Sequence, residues 1–226
     1  MLSEKENQVL NHLARYITEH KKNFIESVLD LRTRHITVVL EDIYQSQNSS
    51  AVIRTCECLG IQDVHVIENR AIYTVNRKVL KGSHKWITLL RYRHREDRTL
   101  ECFHALRNRG YRIIATSPAG SGTTVDDLDV TVPVALVFGN ELRGLSDTAL
   151  QHCDGQIRIP MYGFTESLNI SVSVALCLFQ LIRKVQVNGV SFHLSPEQRD
   201  ELRLSWYRSI VRRSEIIERE FLRTIA

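Results

Sequence analysis

The sequence contains no C-x-x-C pair, no run approaching 18 uninterrupted apolar residues, no internal repeat and no low-complexity tract. Each absence closes off a class of protein. Without cysteine pairs at ligand spacing, nothing points to a structural metal. The five cysteines, Cys56, Cys58, Cys102, Cys153 and Cys177, are odd in number and sit mostly in apolar-periodic segments, so they read as reduced thiols in a core. The missing apolar run argues against a membrane span, and the opening MLSEKENQVL lacks the basic and apolar regions of a secretory signal. The expectation is a soluble, cytoplasmic protein that needs neither metal nor membrane.

A chain of 226 residues that is 43% hydrophobic can bury one proper core, whereas two full domains would be cramped. The expected organisation is a central domain over residues 35–188, with helical extensions over 1–34 and 189–226. The formal charge of +4 is modest but unevenly spread. Residues 69–109 carry eleven Lys or Arg against three acids, and residues 110–182 carry three against seven. Such a basic stretch is either a solvated face or a surface for a polyanion.

Apolar, β-branched runs occur at ITVVL (36–40), DVHVI (63–67), YRIIAT (111–116), VALVF (134–138) and QIRI (156–159), with a further strand expected within WITLLRY (86–92). Amphipathic stretches separate most of them. This alternation predicts an α/β fold whose mostly parallel sheet is covered by helices on both faces. Gly60 and Gly110 are expected just past helix ends. Ser195-Pro196-Glu197-Gln198 combines an N-cap, a first-turn proline and a capping-box glutamine, so one long helix should begin there, with Leu202, Trp206, Ile210, Ile217 and Phe221 along it.

Three segments carry polar residues that a core does not require. In NSSAVIRTCECLG (48–60), Val52, Cys56 and Leu59 share one helical stripe, and Arg54 lies on the opposite side. Asn48 reads as an N-cap. In LVFGNELRGLS (136–146), Gly139 opens a G-x-x-x-x-G-L-S spacing that nearly spells a phosphate-binding loop. Leu145 stands where that loop needs lysine, and Glu141 beside it further disfavours a triphosphate. A turn directly after a buried strand is nonetheless where open α/β sheets bind ligands. In IPMYGFTESLNISVSVALCLF (159–179), Ser167, Asn169, Ser171 and Ser173 punctuate an apolar helix. Ser167 suits a cap, and Asn169, read inside the first turn, is free to bond a ligand or a neighbouring loop.

In that order, the three segments resemble the TrmH-type RNA ribose 2′-O-methyltransferases of the SPOUT class. The words that carry the resemblance are Asn48 with Arg54, FGNELRG at 138–144 and SLNISVSVA at 167–175, and the likeness covers most of residues 35–182. It implies a C-terminal trefoil knot, an exception to the rule that connections do not thread one another. It also implies S-adenosyl-L-methionine as cofactor, held by Thr116, Ser117, Gly139, Asn140, Gly144, Ile159, Met161, Ser167, Leu168 and Asn169. Arg54, Asn48 and Glu141 become the catalytic group, and homodimers with composite active sites are expected.

The family proposal makes the matching arginine a base, but neutralising a guanidinium costs on the order of 9 kcal/mol. The softer role is preferred. Arg54 would hold the ribose hydroxyl and an adjacent phosphate, stabilising the developing alkoxide. Asn48 would help to fix the RNA backbone, and Glu141 would orient Arg54 or complement the sulfonium.

KGSHKW (81–86) and the short extensions look most like the branch that methylates guanosine 18 in the D-loop of tRNA, the alternatives being another tRNA position, ribosomal RNA, or a non-catalytic RNA-binding protein of the same fold. Lys78, Lys81, His84, Lys85, Arg91 and Arg93 are then expected to face tRNA, with Arg77, His94, Arg95, Arg98 and Trp86 among them. One departure stands out: related proteins often carry glycine between the Asn and the Arg, where this chain has Ser49-Ser50.

Overall fold

Three strands of this chain are buried at every position, the pattern of parallel strands covered on both faces. A computed structural model describes residues 2–93, 97–118 and 123–225. In chain order its elements are α1 (Glu4–Ala14), α2 (Glu19–Leu29), β1 (Ile36–Glu41), α3 (Ser46–Cys58), β2 (Asp63–Ile67), α4 (Arg77–Leu80), β3 (Thr88–Tyr92), α5 (Arg98–Asn108), β4 (Arg112–Thr116), β5 (Val134–Phe138), α6 (Asp147–His152), β6 (Gly155–Ile157), α7 (Ile170–Val187), α8 (Pro196–Ile210) and α9 (Ser214–Thr224). The six strands form one parallel sheet in the order β3-β2-β1-β5-β4-β6. All five strands expected from apolar runs are present, and WITLLRY supplies the sixth as β3.

Side chains alternate along each strand, so the sheet serves two cores. Val38, Leu40, Leu136 and Phe138 pack with Val52, Ile53 and Cys56 of α3 and with Val174, Cys177, Leu178 and Leu181 of α7. Val39, Ala135 and Val137 turn the other way, onto Cys102, Phe103 and Leu106 of α5 and Ala149 of α6. Among the described residues, α7 has the length and composition to cross a membrane, yet its inner side is core, and Ser171, Ser173, Arg183 and Lys184 interrupt its sequence. Its outer side exposes Val172, Leu176 and Phe179, which fall in one stripe at helical spacing.

The chain divides into two units, residues 33–192 and a helical unit of 1–32 with 193–226. The first division falls before Thr33 because Thr33 bridges to Ile61 and Arg34 pairs with Asp63. The second falls after Phe192, whose carbonyl accepts from the Thr33 hydroxyl and whose ring packs on the sheet core. Within the helical unit, Arg203 and Arg199 of α8 both pair with Glu26 of α2.

Three local expectations are corrected. The Ser195 capping box forms as read, but the helix it starts is not continuous. Arg213 takes a left-handed conformation (φ 60), and the Ser214 hydroxyl donates to the carbonyl of Arg208, so α8 ends and α9 begins without a glycine or proline to announce it. The helix expected from Asn48 starts earlier, at Ser46, with Gln45 as N-cap. Asn169 is the N-cap of α7, accepting from the Ser171 N–H at 2.9 Å, so it stands before the first turn, and Ser167 precedes the cap. Gly60 (φ 77) and Gly110 (φ 82) do sit just past helix ends.

His65 in β2 is fully buried; its Nδ1 meets the Tyr92 hydroxyl at 2.9 Å, and Nε2 has no partner among the described residues. Burial, with Arg109 adding to it against the opposing pull of Asp63, lowers its pKa from 6.5 to about 4. The unfolded imidazole takes up a proton near pH 6.5 while the folded one resists until about pH 4, so the unfolded state binds more protons in that window. Stability is therefore full above pH 6.5 and falls toward pH 4, by on the order of 3 kcal/mol. Thermal unfolding of His65→Phe should show a flatter decline over this window than wild type, and an equally steep one would assign the acid sensitivity to other groups.

Candidate active site

The carboxyl ends of β4, β5 and β6 and the start of α7 open onto a cavity of about 510 Å³. All ten residues expected around a cofactor line it, as does Glu141. Ser173, noted among the polar residues of the third segment, lines it too, as do Pro118, Phe138, Glu166 and Ile170, which were not singled out from sequence. Phe138 and Ile170 read as core at the ends of a strand and a helix. Glu166 carried a usable signal, since it lies directly before Ser167 in the third polar-punctuated segment.

The glycine turn after β5 closes on itself. Asn140 N–H donates to the Gly144 carbonyl at 3.2 Å, Gly144 N–H returns to the Asn140 carbonyl at 3.0 Å, and Gly144 adopts φ 68. The Asn140 side-chain oxygen accepts from the N–H groups of Leu142 and Arg143, at 3.0 and 2.8 Å. A phosphate-binding loop needs its backbone N–H groups free to cradle phosphate. Here four of them are consumed by the turn, which accounts for a near-match that lacks its lysine.

One hydrogen-bonded chain joins the three motif segments. Asn48 Nδ2 donates to Glu141 Oε1 and, at 3.1 Å, to Gln45 Oε1, while Asn48 Oδ1 accepts from Asn169 Nδ2 at 3.1 Å. Asn48 can do this because Gln45, not Asn48, occupies the N-cap position. Glu141 therefore engages Asn48 and does not orient Arg54 within the chain. Arg54 is exposed on α3, as its helical phase indicated, with no hydrogen bond or ion pair to any described residue, and it is not among the residues lining the cavity.

Of the residues expected to face RNA, Lys78, Lys81, His84, Lys85 and Arg93 are exposed. Arg91 is engaged: its guanidinium makes two bonds of 2.8 Å to the Glu68 carboxylate, which itself accepts from the Tyr73 N–H. That pairing raises the pKa of Arg91 and ties its guanidinium to a carboxylate, although the residue is itself exposed. Trp86 is partly buried, and His94 and Arg95 lie outside the described residues.

Comparison with known proteins decides the family. Residues 35–179, more than half of the chain, match the model of the SpoU rRNA methylase family. The chain belongs to the SpoU methylase family. A relative from Borreliella burgdorferi, named tRNA (guanosine(18)-2′-O)-methyltransferase, is 42% identical over 206 residues, covering 91% of this chain and 93% of the relative. The crystal structure of the Aquifex aeolicus TrmH/SpoU tRNA modifying enzyme superposes with a TM-score of 0.75 at 28% identity, covering 86% of this chain and 98% of that one. The SpoU methyltransferase AviRb from Streptomyces viridochromogenes, solved in complex with the cofactor AdoMet, gives a TM-score of 0.60 at 25% identity over 73% of this chain and 62% of its own. The SpoU match begins just before β1 and ends within α7, so all three motif segments and all the cavity-lining residues fall inside it.

Proposed function

We propose that this SpoU methylase transfers a methyl group from S-adenosyl-L-methionine to the ribose 2′-hydroxyl of guanosine 18 in tRNA. The observation that carries the reading is the Asn48–Glu141–Asn169 chain at the edge of the 510 Å³ cavity, supported by the names of relatives that match over nearly their whole length.

The residues present fit the cofactor. The cavity volume is that of a small-molecule site. Phe138, Ile159, Met161, Leu168 and Ile170 offer apolar walls to an adenine, and Glu141 and Glu166 offer carboxylates to a cationic group. An ideal Cβ on Gly139 would lie 2.1 Å from the Gly144 carbonyl carbon, so the turn keeps its shape only with glycine there.

When bound, S-adenosyl-L-methionine supplies an electrophilic methyl on a sulfonium. The ribose oxygen would accept that methyl group, and its proton would pass to a phosphate oxygen or to water. Arg54 holds that oxygen and the neighbouring phosphate, stabilising the charge that develops. Asn48, fixed between Glu141 and Asn169, positions the RNA backbone beside it.

The same reading threads the chain after β5 into a trefoil knot. It is supported by the position of β5 between β1 and β4, and by a cavity built from the loops that follow β4, β5 and β6. It makes the enzyme a cytoplasmic homodimer in which Arg54 of one subunit serves the cavity of the other. This accounts for an uncommitted Arg54 outside its own cavity and for the apolar stripe of Val172, Leu176 and Phe179. Light scattering should give twice the 26.1 kDa chain mass, and Leu176→Arg with Phe179→Arg should give monomers without activity. A wild-type monomer at micromolar concentration would contradict the composite site. Ribose-methylation mapping of tRNA from a deletion strain tests the substrate: position 18 should lose its methyl group, and an unchanged position 18 would overturn the assignment.

A further inference from the structure

A second cavity, of about 420 Å³, adjoins the cofactor cavity across the glycine turn, and Asn140 and Gly144 line both. Its walls come from the carboxyl ends of β1 and β2 and the starts of α5 and α6. Two buried acids hold those walls together. Glu41 accepts from the Thr99 and Ser146 hydroxyls, at 2.7 and 2.8 Å, and from the Ser146 N–H at 2.8 Å, tying α5 and α6 to β1. Asp42, in a left-handed conformation (φ 53), accepts from the N–H groups of Arg70 and Ala71 at 2.8 and 3.1 Å. Their charges are used in construction.

Of the other lining groups, Arg98 donates to the carbonyls of Glu68 and Asn69, Asn69 donates to the Thr99 hydroxyl, and Asp147 stands in the first turn of α6, whose N-terminus it faces. Arg70 and Arg143 make no side-chain hydrogen bond or ion pair to any described residue, and neither does the phenol of Tyr44, whose residue is 46% exposed. Asp97 occupies the N-cap of α5 without making a capping bond, and its carboxylate has no hydrogen bond or ion pair to any described residue. A site for a bare phosphate chain has no use for an exposed carboxylate, which repels it. A guanosine nucleotide uses every one of these groups. Its phosphates suit the two guanidiniums, and its ring face suits the tyrosine. Its N1–H and exocyclic amine form a pair of donors that a carboxylate accepts together, a pattern no other common base presents.

We infer that this cavity is the subsite for the guanosine that is methylated, with Asp97 reading the base edge, Tyr44 stacking on the ring, and Arg70 and Arg143 holding the flanking phosphates. The inference rests on the proposed tRNA reading and adds to it the origin of selectivity for guanine. The shared turn is then the partition between base and cofactor.

The test compares transcripts carrying guanosine or inosine at position 18, since inosine lacks only the exocyclic amine, alongside direct binding of guanosine 5′-monophosphate and inosine 5′-monophosphate followed by NMR. Wild type should favour guanine at least fivefold in both assays. Asp97→Asn should bring that ratio close to one, while Arg70→Ala and Arg143→Ala raise KM for both transcripts alike and leave the ratio intact. Cofactor affinity should be unchanged in all three variants. A guanine preference that survives in Asp97→Asn, or nucleotide binding that Tyr44→Ala leaves untouched, overturns the subsite. Discrimination between the mononucleotides without any transfer to tRNA upholds the subsite and overturns the tRNA reading instead.

Discussion

Arg54→Ala should lower kcat for methylation by roughly 10²- to 10³-fold, the usual effect of removing a donor aimed at developing oxyanion charge. The guanidinium is exposed, lies outside the cavity of its own chain and supports no other side chain, so its loss costs the fold little. Cofactor affinity and thermal stability should therefore match wild type. That split distinguishes a residue acting on the reacting oxygen from one that shapes the cofactor site. Lysine at this position should restore only part of the rate, because a point charge cannot hold a hydroxyl and a phosphate in the fixed fork of a guanidinium. Single-turnover methyl transfer, with calorimetric titration of the cofactor, separates these outcomes. A variant that loses cofactor binding together with its rate would move Arg54 out of the catalytic role.

The second large effect belongs to Gly139. A Cβ there would lie 2.1 Å from the Gly144 carbonyl carbon and 2.3 Å from both its oxygen and the Leu145 nitrogen, and all three are backbone atoms that cannot swing aside. Gly139→Ala must open the turn, breaking the paired bonds between Asn140 and Gly144 and shifting Glu141 away from Asn48. Cofactor affinity should fall by more than about 100-fold, equivalent to roughly 3 kcal/mol, and the melting temperature should drop. Gly163→Ala is the matched control, since nothing stands within 4 Å of the added carbon. It should bind cofactor and melt as wild type does. Equal affinities for the two variants would show that the turn does not shape the site.

The sheet was legible because burial on both faces leaves a direct imprint on sequence: β1 and β5 are apolar at nearly every position, and glycines with positive φ mark the ends of α3 and α5. The 510 Å³ cavity is lined by two of the three motif segments, together with the end of β4 at Thr116, Ser117 and Pro118, and those two segments were legible. The connections between the three were not. That Asn48 bridges Glu141 and Asn169 depends on Gln45 taking over the cap, and a glutamine ahead of Ser-Gln-Asn-Ser-Ser gives no warning of it. The engagement of Arg91 by Glu68 was equally hidden, because an ion pair between β3 and the residue just past the end of β2 leaves no periodicity in either segment. The break between α8 and α9 rests on one left-handed arginine and one serine bond. The guanosine cavity gathers side chains from four separate segments, so no single stretch of sequence announces it.

The most direct measurement is transfer of labelled methyl from S-adenosyl-L-methionine to unmodified tRNA transcripts, with the product mapped by nucleoside analysis. Methylation at the 2′-oxygen of guanosine 18, absent from a transcript with a 2′-deoxyguanosine at that position, is the expected result. Cofactor binding without transfer to that ribose would contradict the account.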